Sequence, residues 1–144
     1  MSINKINVEV TQETEAQVLQ NIETSTEPLD FLIKLQTLER IRMAKMGRKD
    51  LGFVERAFMH ATDNPQYLIN YVTIDDFGKD VGTAKCLRRF NAATDSLKER
   101  INDTRLLVES EAYATARVYY SAVKAAAKVG VPGAEAIAAA FTAL

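Results

Sequence analysis

From about Ala92 to Val129 the chain runs without a single glycine or proline, and this limits its fold more than any other feature. With no breaker present nothing stops a helix. Leu97, Ile101, Thr104, Val108, Glu111, Thr115, Val118, Ala122, Ala125 and Val129 follow one another in alternating steps of four and three. Such steps keep side chains on one side of a helix, so the spacing predicts one long helix with a single seam, kinked if anywhere near Asn91 to Thr94. A helix with one apolar stripe needs cover from other helices. Gly130 is the expected stop, Pro132-Gly133 the turn, and Ala134 to Leu144 a last short helix aligning Ile137, Phe141 and Leu144.

Upstream, residues 1–10 alternate, with Ile6, Val8 and Val10 on one side, which is the period of a half-buried strand or extended arm. Thr11 is placed to cap a helix reaching Thr24, with Val18, Leu19 and Ile22 on one face. Thr26, Pro28 and Asp30 interrupt it. Thr37 is the expected cap of a short helix to about Ala44, and Asp50 that of a helix carrying Phe53, Val54, Ala57, Phe58 and Ala61 on one side. Asn64-Pro65 ends that helix. Thr73 with Asp76, or Asp75 alone, starts another, whose inward positions are Phe77, Val81, Ala84, Leu87 and Phe90. The expectation is an all-α fold for residues 1–144 as one domain: an antiparallel bundle of about four main helices, an N-terminal extended arm (1–10) and a C-terminal short helix (134–144).

Composition narrows the location and the partners. One cysteine, Cys86, cannot form an internal disulfide, and neither a signal peptide nor a membrane span is visible, so a cytoplasmic location is expected. The formal charge is -1, which gives no global attraction to phosphate or anionic lipid. Charge is nonetheless blocked: 1–30 and 50–83 are acidic, 31–49 and 84–105 basic. Arg40, Arg42, Lys45, Arg48 and Lys49, with Lys85, Arg88, Arg89, Lys98, Arg100 and Arg105, would form a basic face for nucleic acid, or neutralise acidic helices within the bundle or across a subunit contact. With no aromatic platform among those cations, nucleic acid ranks below a protein partner.

Three stretches resemble a group of small, mainly bacterial helical-bundle proteins to which no function is attached. They are Lys45-Met46-Gly47 with Lys49 leading into Phe53-Val54-Glu55, then Ser110-Glu111-Ala112-Tyr113, then Val123 through Ala134, the most specific of the three. The resemblance spans most of the chain from about residue 11 and implies a bundle. It carries over no catalytic residue.

Candidate chemistry is sparse. A di-iron bundle needs two Glu-x-x-His pairs, whereas this chain has one histidine, His60, at the margin of an apolar face. No catalytic, cofactor or metal residue is assigned, and no cofactor is expected. Cys86 has cationic neighbours but no second cysteine, and a packing role is the simpler expectation. Gly78 and Gly82 follow no strand, so they form no phosphate loop; they mark either a close approach or a solvent face. Glu111 lies on the seam of the long helix and is the candidate buried carboxylate. Arg88, Arg89 and Arg105 are its candidate partners, and left unpaired in a cavity it would serve as a general acid or base, assisted by Cys86 or His60.

The surface suggests association instead. Leu106, Tyr113 and Tyr120 recur every seven residues away from the seam, and Met59 lies opposite its own helix's apolar face; they serve an interface or cover a second packing layer formed by the connectors 29–46 and 66–72, the latter being the simpler reading for the tyrosines, while the tail ends in Phe141 and Leu144. The tail either folds back or meets another copy, and the arm pairs with the Tyr67 to Thr73 connector or with another subunit. The candidate interface is therefore Ile6, Val8, Val10, Met59, Leu106, Tyr113, Tyr120, Ile137, Phe141 and Leu144. The expected role is a non-enzymatic bundle acting through self-association or a protein partner, with a small-molecule-binding or catalytic bundle centred on Glu111 as the alternative and nucleic-acid binding behind both.

Overall fold

The computed structural model describes residues 4–143, and over them the chain is all-α. Helices α1 (Gln12–Thr24), α2 (Thr37–Arg42), α3 (Arg48–Asp63), α4 (Ile74–Lys128) and α5 (Ala134–Ala140) follow in order, with a short 3₁₀ turn at Pro65–Tyr67. No strand occurs among the described residues, so the alternation of Ile6, Val8 and Val10 does not become sheet. Ile6 alone of its three apolar residues is half-buried, while Val8 and Val10 are exposed. Leu144 lies outside the described residues.

The caps explain the helix starts. Thr11 Oγ1 accepts the Thr14 amide at 3.1 Å, as its position predicts. Two other starts differ from expectation. Helix α2 begins at Thr37 itself, and the Glu39 carboxylate reaches back to the Gln36 amide (3.0 Å). Helix α3 begins at Arg48, two residues before Asp50, whose carboxylate accepts the Gly47 amide at 2.7 Å. In both cases an acidic residue in the first turn works from inside the helix, which satisfies an orphan donor as well as a side chain outside it. Thr73 Oγ1 accepts the Asp76 amide (3.0 Å) and opens α4.

Helix α4 is the largest departure from the expected four-helix reading. Asn91 to Thr94 lie inside it, so the two helices foreseen on either side are one element of 55 residues. Thr94 Oγ1 donates to the carbonyls of Phe90 (2.9 Å) and Asn91 (3.0 Å), so its hydroxyl is satisfied within the helix instead of ending it. At the far end the Gly130 amide donates to Ala127 O and the Val131 amide to Ala126 O, both at 3.1 Å. With Gly130 at φ 78° this is the paired-bond stop that a left-handed residue makes possible.

The chain divides into two units, 10–94 and 1–9 with 95–144. In the first, α3 lies antiparallel to the opening turns of α4. Phe58 meets Phe77 edge to face at 5.6 Å, Glu55 pairs with Lys85 at 2.9 Å, and Arg88 Nη2 donates to Met46 O at 2.8 Å. Val81 is buried there, and Phe77, Ala84 and Leu87 are half-buried as their spacing predicts, but Phe90 is exposed. Gly78 has a reason: a Cβ on it would come within 3.0 Å of Phe58 Cζ. Gly82 faces open space, so the two glycines do not share a role.

In the second unit α5 folds back onto the end of α4. Ala134 and Val123 are buried, and the Phe141 ring lies 4.9 Å from that of Tyr120. The apolar tail thus finds cover in its own chain, although Ile137 and Phe141 stay partly open.

Candidate functional site

The arm and the middle of α4 bound an open groove of about 1140 Å³, lined by Ile6, Val8, Val108, Glu111, Thr115, Val118 and Tyr119 among others. Glu111 organises it. Its Oε1 accepts the Lys5 amide at 2.7 Å. With the Asn4 amide oriented so that its nitrogen faces acceptors, Asn4 donates to Glu111 Oε2 at 3.0 Å and to Ile6 O at 2.6 Å. The carboxylate therefore serves as the arm's hydrogen-bond partner, in place of a second strand.

Glu111 is half-buried, not buried, and none of the expected arginines holds it. Arg105 Nη1 is bonded to both carboxylate oxygens of Glu109 at 2.9 Å, four residues on, where helix geometry brings the pair together without any tertiary contact. Arg88 is spent on Met46 O. Among the described residues of the groove's lining Tyr119 is the one other titratable side chain. His60 and Cys86 are both exposed, and the packing role expected of Cys86 fails because the α3-facing side of α4 is taken by Val81, Ala84, Lys85 and Arg88. Among the described residues no three His, Cys, Asp or Glu side chains are grouped as a metal would need, and no helix is long and apolar enough to cross a membrane.

Some of the basic residues are committed to the fold. Lys45 Nζ donates to the carbonyls of Arg40 (2.7 Å) and Met43 (3.1 Å) at the end of α2, where a cation complements the helix dipole. Arg40 bonds Leu35 O at 3.0 Å, and Lys85 pairs with Glu55.

The apolar candidates are exposed. Leu106, Met59 and Tyr113 all stand more than half open, and Arg117 lies over the Tyr113 ring at 5.6 Å. Tyr120 is half-buried between Phe141 and the Lys124 ammonium, 5.2 Å from its ring centre, so it belongs to the tail contact more than to a free stripe.

Sequence reasoning missed a larger surface. The seam of α4, expected inside a bundle, is open: Leu97 is 43% exposed, Ile101 51%, Val108 41% and Val118 71%. Helix α1 buries nothing, and Val18, Leu19 and Ile22 all face solvent. The chain exposes 12840 Å² in total. Two separate compact bodies of half its mass each would expose only about 8,900 Å². The spacing that found the seam gives no signal for whether its cover comes from the same chain.

No protein-family model, curated protein or solved structure matches the chain.

Proposed function

We propose that this protein is a non-enzymatic helical protein that works by self-association or by binding another protein, its open apolar faces completed into an antiparallel helical bundle by a second chain. A relationship to the small helical-bundle proteins it resembles belongs to the same reading. One observation carries it: the a and d positions of α4 are exposed from Leu97 to Val108. Stripes of that spacing are stable when another helix interlocks with them. The surface left open beyond two compact bodies, roughly 3,900 Å², exceeds the 1,200–2,000 Å² that a stable protein interface buries. Glu111 acts here as a clamp for the arm, with no chemical step.

Light scattering over a concentration series tests this. A mass of at least two 16.0 kDa chains is expected, falling towards one on dilution. A single-chain mass at every concentration, with cooperative unfolding and no protein captured, would reject it.

A further inference from the structure

We propose that the stripe Leu97, Ile101 and Val108 of α4 is the docking surface for helix α1 of a second copy of this chain, an inference that rests on the self-association reading. The charges beside the stripe select the occupant. At 100° per residue Lys98 and Arg100 stand roughly 80° to either side of the stripe's centre, and Arg105 lies on the Lys98 side. Asp95, Glu99 and Asp103 fall on the far side of the helix. Around Leu97 and Ile101 the apolar seam is thus edged by the cations Lys98 and Arg100, while Arg105 is already paired with Glu109 on its own helix.

Helix α1 has the complementary character. It carries Glu13, Glu15 and Glu23 and no basic residue, and its apolar face Val18, Leu19 and Ile22 has Glu15 one turn before it and Glu23 at its edge. Both faces are exposed in the single chain, and each copy carries one of each. A two-fold exchange, α1 to stripe and stripe to α1, therefore leaves neither unmatched. It also draws on an open surface larger than a stable dimer needs.

A charge exchange in the full-length chain tests this. One variant carries Lys98→Glu and Arg100→Glu; the other carries Glu15→Lys and Glu23→Lys. All four positions are exposed, and circular dichroism establishes that the helices survive. In each variant alone α1 and the stripe have the same sign, so self-association is expected to weaken by about tenfold or more. Mixed in equal amounts, the two variants oppose unlike charges at both contacts, and association is expected to return to within about threefold of the natural chain. Variants that associate as the natural chain does, or a mixture that stays dissociated, would overturn the α1 assignment while leaving self-association standing. A natural chain that is monomeric throughout would overturn both.

Discussion

Glu111 shows at single-residue scale how position and role part company. Its place on a four-three seam was legible, and so was its need for a partner. The partner was not, because the Lys5 amide and the Asn4 side chain lie more than a hundred residues away and carry no spacing signal. Replacing Glu111 with Ala removes both acceptors, which is expected to loosen the arm by about 1 kcal/mol without unfolding α4. Hydrogen exchange at the Lys5 amide, about fivefold faster in the variant, is the measurement. Gly78 and Gly82 make a sharper pair. In Gly82→Ala the new methyl meets nothing within 4 Å, so the helix is expected to gain up to about 1 kcal/mol. In Gly78→Ala the same gain is opposed by Phe58, which is held edge-on by Phe77, so its stability should fall below that of Gly82→Ala by about 1 kcal/mol or more. Urea midpoints of the two variants decide it, and equal values would remove the close-packing account of Gly78.

At the scale of elements, periodicity read existence well and ends less well. The extents of α1 and the stop at Asn64-Pro65 follow from a capping threonine and from a ring that blocks continuation. The starts of α2 and α3 were misplaced because Glu39 and Asp50 bond backwards from the first turn, a geometry that shares its residue types with a true cap. The N-terminal alternation misled for a different reason: a period of two needs a neighbouring strand, and none exists among the described residues. The end of α4 was read correctly, and its two left-handed glycines allow a test. Gly130→Ala is expected to cost about 1–2 kcal/mol, since alanine tolerates φ near 78° poorly while the space around it is open. Phe141→Ala is expected to free α5 from Tyr120 at a cost of about 1–2 kcal/mol, a modest figure because the ring is already 40% exposed. Faster proteolysis after Lys128, with α4 otherwise protected, would register it.

At the scale of the whole molecule, the all-α class was legible because the stripes are strong, while the number of chains needed to cover them was not. Leu97, Ile101 and Val108 bear the same pattern whether their cover comes from the same chain or from another. If a second chain supplies it, the apparent melting temperature should rise with protein concentration, by mass action on a state that only associated chains reach. A melting temperature that does not move across a hundredfold range of concentration would count against this. The backbone hydrogen bonds within α4 have a further consequence, because they close between residues four apart and none waits for a distant segment. A helix of this kind orders within about a microsecond, far ahead of any diffusional meeting between molecules. In the proposed assembly, encounter would then be the slow event. Newly made copies would stay open to proteases and chaperones until enough of them had accumulated, so the rate of synthesis would govern how much protein matures.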